Sequence, residues 1–127
     1  MERIVPVLGI DDYRDAVTFY VDKLGFSITF EHRHEPGFPV FMGLKKGELI
    51  LSLSEHARGE PGSEIYVFVE DVEAWSALLA DGDITPLEPP TRRPWGNTEM
   101  VVRDPFRNTL RFTQIGTHPG APTPNHE

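Results

Sequence analysis

Cysteine is absent from this 127-residue chain, which excludes disulfide bonds, thiolate metal sites and a cysteine nucleophile. No apolar run approaches the ~20 residues of a membrane-spanning helix, so we expect no membrane partner. Basic residues are few, 12 against 20 acids, and the net charge of −8 would repel nucleic-acid phosphates. The N-terminus lacks the basic-then-apolar pattern of a secretory signal, and we expect a cytoplasmic protein that binds no nucleic acid.

The first half of the chain predicts one helix set among strands. Residues 4–10 form an apolar run of strand length, and Asp11 and Asp12 then offer helix N-caps. Apolar residues recur at helical spacing as far as Gly25, a residue suited to ending a helix. Further strands are predicted at 26–32, 40–44 and 49–54. The predicted order is therefore β-α-β-β-β.

The same order restarts after a polar segment. A strand is predicted at 64–69, a helix between Asp71 and Gly82, and a short strand at 84–87. Residues 88–94 contain three prolines and cannot be a central strand. Two final strands follow at 95–103 and 108–115. A repeat of this length, ~55 to 60 residues, indicates two copies of one structural unit.

These patterns predict an α+β fold of two β-α-β-β-β modules. The expected divisions are a first module at 1–55, a linker at 56–63, a second module at 64–115 and a mobile tail at 116–127. A turn at Asp104-Pro105 is predicted to join the final pair of strands. Proline presets its own backbone φ angle, and the aspartate before it can bond the backbone two residues on. Trp95, between Pro94 and Gly96, opens this hairpin at an exposed edge.

The order and spacing of these motifs resemble the vicinal oxygen chelate superfamily, which includes glyoxalase I, extradiol dioxygenases, fosfomycin resistance enzymes and bleomycin resistance proteins. The resemblance covers residues 3–115 and is strongest to the bleomycin resistance branch. The segments that carry it are Val5-Pro6-Val7-Leu8, Phe19-Tyr20, Leu24-Gly25-Phe26, Pro94-Trp95-Gly96 and Arg103-Asp104-Pro105. The family turn usually has glycine where this chain has Arg107, so either Arg107 accepts strain or the turn changes type.

The resemblance implies mixed sheets that curve around a cleft, with metal-ligand positions at Val5, Ser52, Glu64 and Arg111. Only Glu64 could bind a divalent ion strongly, since such a site wants three or four histidine or carboxylate ligands. We therefore expect no metal and no cofactor. Glu64 and Arg111 are instead expected to form a charge-assisted ion pair.

A strand-end aromatic is more often part of the core rim than a ligand platform. Tyr66 and Phe68 are assigned to core or interface packing. Trp95 differs, because the resemblance to the bleomycin resistance branch implies that a tryptophan at this position faces the drug cleft. Aromatic rings in such a cleft suit planar and cationic ligands. The ligand-binding set implied is Trp95, Phe30, Phe41, Phe38, Ser52, Glu64, Glu99 and Arg111, with Arg111 holding Glu64 in place.

The favoured function is binding without catalysis. The partner would be a small molecule of the bleomycin class, with cationic and aromatic character favoured, captured in clefts at a homodimer interface. An alternative is a metal-dependent lyase, isomerase or dioxygenase of the same superfamily that recruits His32, His34 or His56 as ligands. His32 and His34 are more simply read as a solvated strand end. A third alternative is an interaction domain with a degenerate cleft.

Overall fold

The computed structural model describes residues 2–57 and 62–116. Its elements follow the order β-α-β-β-β twice, which confirms the predicted α+β fold. In chain order they are β1 (Val7–Gly9), α1 (Tyr13–Ala16) continuing as a π-helical segment (Val17–Lys23), β2 (Ser27–His32), β3 (Phe41–Lys46), β4 (Leu49–Ser54), a 3₁₀ turn (Glu55–Ala57), β5 (Glu64–Phe68), α2 (Val72–Asp81), β6 (Glu88–Arg92), β7 (Thr98–Arg103) and β8 (Thr109–Gln114).

Each copy of the repeat forms its own mixed four-stranded sheet. The first sheet has the order β1-β4-β3-β2 and the second β5-β8-β7-β6. In both sheets the first strand runs parallel to its neighbour and the other pairs are antiparallel. No helix among the described residues is long and apolar enough to cross a membrane.

The chain divides into two compact units. The first unit consists of the described residues up to Ser63 together with Asp104–Asn108, and the second of Glu64–Arg103 with the described residues from Thr109 onward. Residues 58–61 of the predicted linker lie outside the described residues. So does the predicted tail, apart from Gly116.

The first helix begins and ends where the sequence predicts. Asp12 caps it, accepting from the backbone N–H of Asp15 at 2.9 Å, and Gly25 follows it with a φ of +85°. The spacing did not indicate a change of helix type. The N–H of Leu24 donates to the carbonyl of Phe19 at 3.0 Å, five residues back, as in a π-helix.

The second helix packs against one side of the second sheet. Asp71 caps it by accepting from the N–H of Ala74 at 3.1 Å, as predicted. The ring of Trp75 lies 4.9 Å from that of Phe112 on β8. Because side chains alternate along a strand, Arg111, the neighbour of Phe112, points to the opposite side of the sheet.

The predicted strand at 84–87 is wrong. The strand instead begins at Glu88 and includes both Pro89 and Pro90. It is an edge strand with a bulge between Glu88 and Thr91, so the missing proline N–H groups disrupt little of the ladder. The prediction that these prolines exclude a central strand agrees with this position.

Two other predicted strands are shorter than expected. Of the run at 4–10 only Val7–Gly9 is strand, and Pro6, which has no N–H to donate, contributes only its carbonyl, to the N–H of Ser52 at 2.9 Å. The strand predicted from Trp95 begins at Thr98. The preceding residues form a turn closed by the Gly96 N–H on the Arg93 carbonyl at 2.9 Å.

Strand register separates a buried side from an open side in each sheet. In the first sheet Leu8, Leu53 and Met42 pair across β1, β4 and β3 and are fully buried. The neighbouring cross-strand row points the other way, and we call it the open face of the first sheet; it comprises Val7, Ser52, Gly43 and Phe30. The equivalent row, the open face of the second sheet, comprises Tyr66, Arg111, Val101 and Glu88.

The Asp104–Asn108 turn is held by a buried carboxylate. Asp104, 4% exposed, accepts from the N–H groups of Phe106 and Asn108, each at 2.8 Å, and from the Tyr20 hydroxyl at 2.6 Å. The turn keeps its shape because Arg107 adopts a φ of +69°, the left-handed conformation that glycine usually supplies. Of the two alternatives predicted for Arg107, the structure has the strained one.

Candidate functional site

A cavity of about 430 Å³ opens on the first sheet, lined entirely by residues of the first unit. Gly43 and Ser52, paired across β3 and β4, are the small residues of its wall. A Cβ atom at Gly43 would lie 2.3 Å from Cε2 of Phe30. The phenylalanine ring therefore lies across Gly43 in a position that no larger residue would permit.

A β-bulge gives this cavity two consecutive residues of β2. The pairing of β2 with β3 shifts between Ile28 and Phe30, and both Thr29 and Phe30 line the cavity. The Phe30 ring lies 5.7 Å from that of Phe41, so these two predicted site residues are together. Phe38, a third, is 45% exposed and contacts His34, with 5.8 Å between ring centroids.

The second sheet carries a chain of ion pairs where the first has its cavity. Arg111 Nε donates to Glu64 Oε2 at 2.9 Å, which confirms the predicted pair. Arg111 Nη1 also reaches Glu99 Oε1, at 3.5 Å. Arg93 continues the chain, donating from Nε to the same Glu99 oxygen at 3.0 Å and from Nη2 to Glu88. We call these five residues the ion-pair chain.

The ion-pair chain keeps both arginines firmly charged. The hydrogen bond from Arg111 to Glu64 raises the pKa of Arg111, and the bonds from Arg93 to Glu88 and then Glu99 raise the pKa of Arg93. Glu99 is only 4% exposed, so its carboxylate depends on the two guanidinium groups for charge compensation.

Sequence reasoning missed Arg93 and Glu88. Both lie in the proline-rich segment that was not predicted to be a strand. Only cross-strand register brings them beside Glu99, since Glu88 pairs with Val101, two residues further along β7. Their opposite charges and close spacing were the only available signal.

Tyr66 and Phe68 do not belong to the core of the second unit. They are 54% and 46% exposed, and their rings stack at 6.1 Å on the same side of β5. The Arg111 guanidinium lies 5.6 Å from the Tyr66 ring centroid, a cation–π contact. Trp95 is also exposed, at 45%, in the turn between β6 and β7.

The residues at the implied metal positions do not suit a divalent cation. Val5 has no donor atom and Ser52 offers only a neutral hydroxyl, and both line the cavity of the first unit. In the second unit Glu64 is bonded to Arg111, whose positive charge opposes a cation.

The histidines offered as alternative ligands do not assemble a site either. His32 ends β2, His34 contacts Phe38, and the backbone N–H of His56 donates to Ser54 Oγ at 3.1 Å. Within residues 2–57 and 62–116, no group of three or more His, Cys, Asp or Glu side chains could hold a metal ion.

Comparison with known families gives one match over nearly the whole chain. The model of a family described as "Glyoxalase superfamily protein" matches residues 1–117. No curated protein sequence matches this chain.

Solved structures share the fold. A bleomycin resistance determinant encoded on transposon Tn5 has a TM-score of 0.75 at 23% identity, covering 91% of this chain and 98% of that one. A bleomycin-binding protein complexed with bleomycin has a TM-score of 0.71 at 22% identity, covering 90% of this chain and 98% of that one. Lactoylglutathione lyase from Agrobacterium tumefaciens has a TM-score of 0.67 at 23% identity, covering 90% of this chain and 94% of that one. At these identities the likeness shows the fold alone.

Proposed function

The chain belongs to the glyoxalase superfamily, and from that premise we propose that it is a binding protein that captures a small molecule without transforming it. The observation that supports capture is the bonding of Glu64 and Glu99 to arginines, because the guanidinium charges beside both carboxylates oppose the binding of a catalytic metal cation. Bleomycin-type antibiotics are the proposed ligand class, because two proteins of the same fold are described by that ligand. Sequestration in the cytoplasm would then give antibiotic resistance.

Aromatic surfaces would supply the stacking contacts. Trp95, Phe30 and Phe38 are each 45% exposed, and Phe41 backs Phe30. Such rings stack on planar heteroaromatic groups and attract cations at their faces, the latter by ~0.5 to 2 kcal/mol.

Polar groups of the second unit would receive the cationic part of such a ligand. The ion-pair chain holds three glutamates against two arginines, so it carries one net negative charge. The Glu64 side chain is 49% exposed and can accept from a ligand while Arg111 holds it in place. Ser52, 6% exposed in the first unit, would provide a hydroxyl.

We also propose that the protein works as a homodimer. Large apolar side chains are exposed, among them Ile4 at 95%, Leu87 at 57% and Val7 at 49%. Burial of such surface drives association. Sedimentation of the purified chain at micromolar concentration should give twice the monomer mass, and a monomer would contradict the dimer while leaving ligand capture open.

Tryptophan fluorescence tests the ligand class. Titration with metal-free bleomycin at micromolar concentration should change the emission of the wild-type protein, and Trp95→Phe should abolish most of that change. Glu48→Ala, in the exposed turn between β3 and β4 and outside the proposed contacts, serves as the control and should behave like wild type. Unchanged emission together with no calorimetric heat would exclude bleomycin as the ligand.

Elemental analysis distinguishes capture from the enzyme alternative. Protein purified without chelators should contain far less than one equivalent of zinc, nickel or manganese. A stoichiometric metal, lost together with turnover when His32, His34 or His56 is changed, would replace this proposal with a metal-dependent reaction.

A further inference from the structure

The cavity of the first unit has a polar lining composed of hydrogen-bond donors. Arg3 and Lys45 can only donate, and the hydroxyls of Thr29 and Ser52 can donate as well as accept. Among the described residues, no aspartate or glutamate lines the cavity. In the part of the chain that the structure describes, none of these four side chains has a hydrogen bond or ion pair.

These two cations stand out against the charge of the whole protein. The chain carries 20 acids and 12 lysines and arginines, yet the lining residues that the structure describes include two cations and no acid. In the ion-pair chain of the second unit each arginine is bonded to glutamates. Arg3 and Lys45 have no such neutralising partner among the described residues, so an anion entering the cavity would meet uncompensated positive charge.

The remaining lining favours a planar, apolar body. The Phe30 ring forms one wall across Gly43, and Ile50 and Val5 add aliphatic surface. A volume of about 430 Å³ lies within the range of small-molecule sites, which pair apolar walls with a few placed polar groups. Phe30 is backed by Phe41, which restrains the ring that a planar ligand would contact.

We infer that this cavity binds an aromatic carboxylate, with the ring against Phe30 and Gly43 and the carboxylate facing Lys45 and Arg3. The Ser52 and Thr29 hydroxyls add donors to the same anionic group. This inference goes beyond the capture of a bleomycin-type antibiotic, whose cationic groups would face Glu64 in the second unit. The two proposals share Phe30 and Ser52, but they assign ligands of opposite charge to different charged residues. Loss of Lys45 or Arg3 should therefore affect only the carboxylate, and either proposal can fail alone.

Three probes with one ring system and different charges test the inference. 2-Naphthoate, 2-naphthylmethanol and 2-naphthylmethylamine should be titrated into the full chain by calorimetry at low ionic strength. Charge-assisted bonds to Lys45 and Arg3 should make naphthoate bind about tenfold more tightly than the alcohol. The amine should bind more weakly than the alcohol. Added salt should reduce the preference for naphthoate.

Charge-removing variants locate the site. Lys45→Gln and Arg3→Gln should each weaken naphthoate binding about threefold to tenfold and leave the alcohol unchanged. Arg92→Gln, which removes an exposed cation of the second unit, is the matched control. It should change the affinity for neither naphthoate nor the alcohol. Thermal unfolding of each variant verifies that it is folded.

Each other outcome overturns the inference in a recognisable way. Equal affinity for the three probes would show that the cavity takes planar molecules without selecting charge. Naphthoate binding that survives both Lys45→Gln and Arg3→Gln would place the anion elsewhere. Absence of binding by all three probes at millimolar concentration would show that the cavity does not accept planar ligands.

Discussion

The open faces of the two sheets occupy the same place in the same topology but carry opposite kinds of side chain. Across the first sheet the row reads Val7, Ser52, Gly43 and Phe30; across the second it reads Tyr66, Arg111, Val101 and Glu88. Small residues in the centre of the first row leave a cavity. An arginine in the equivalent position of the second row anchors the ion-pair chain.

The difference teaches that a repeated backbone does not imply a repeated site. Topology and register fix which residues share a face, but side-chain volume and charge decide whether that face is open or filled. Ser52 and Arg111 occupy corresponding positions beside the first strand of each sheet, since Ser52 pairs with Val7 and Arg111 with Tyr66. Ser52 leaves space and one hydroxyl without a partner among the described residues, whereas Arg111 neutralises Glu64 and Glu99.

The turns that join β3 to β4 and β7 to β8 should differ most in their contribution to the free energy of unfolding. Asp104→Ala should lower the free energy of unfolding by about 3 kcal/mol or more, because it leaves the Tyr20 hydroxyl and the N–H groups of Phe106 and Asn108 without an acceptor. Glu48→Ala, in the short exposed turn of the first sheet, is the control and should change the free energy of unfolding by less than about 0.5 kcal/mol. Urea titrations measure both, and equal losses would contradict the comparison.

Filling the first open face should make it resemble the second. Gly43→Val introduces a Cβ 2.3 Å from the present position of Phe30 Cε2, so the ring must move. We expect a loss of about 1–3 kcal/mol in stability from overpacking. Naphthoate and naphthylmethanol should both lose at least about tenfold in affinity, because a steric change acts on either charge state. Unchanged binding would place both probes outside this cavity.

Interrupting the ion-pair chain should cost less. Arg111→Met removes the partner of Glu64 and one of the two arginines on Glu99, while Arg93 remains. We expect a loss of about 1 kcal/mol, since the pair with Glu64 is partly solvated. Arg33→Met, which breaks the exposed pair with Glu31 at 3.3 Å, is the control with an expected effect below about 0.5 kcal/mol. A larger loss for Arg33→Met would contradict the comparison.

The smallest expected effect is a difference in alkaline sensitivity between the helices. Burial, and then the charge of Asp104, raises the pKa of Tyr20 well above its ordinary value, whereas its counterpart in α2, Leu79, does not titrate. The unfolded chain loses the Tyr20 proton near pH 10 while the folded chain keeps it, so stability is present below that pH and falls above it. Between pH 8 and 10.5, Tyr20→Phe should lose up to about 0.8 kcal/mol less stability than wild type in urea titrations. Identical slopes would contradict this.

Much of the fold was predictable because its signals are local. Asp12 and Asp71 cap their helices through their own side chains, and Gly25 takes the positive φ that glycine tolerates. The strand predicted at 84–87 was misplaced because Pro89 and Pro90 argued against a strand at 88–94. A strand there is possible only because β6 lies at a sheet edge. Edge position depends on the whole sheet and is not written in any single segment.

The site was predictable only in part. The Glu64–Arg111 pair was confirmed, but it followed from the resemblance and not from the spacing of the two residues. The extension through Glu99 and Arg93 to Glu88 depends on cross-strand register and on the bulge between Glu88 and Thr91. The exposure of Tyr66 and Phe68 likewise depends on what covers each side of the second sheet.

By itself the sequence determined the two β-α-β-β-β modules, the helix caps and the Asp104-Pro105 turn, because these rest on interactions between residues close in the chain. Tertiary structure alone decided that Gly43 and Phe30 would shape a cavity, that Arg3 and Lys45 would line it without an acid, and that five charged residues of the second sheet would form a chain. Those outcomes depend on which strands become neighbours and in which register, and distances between residues far apart in sequence do not exist until the sheets have formed.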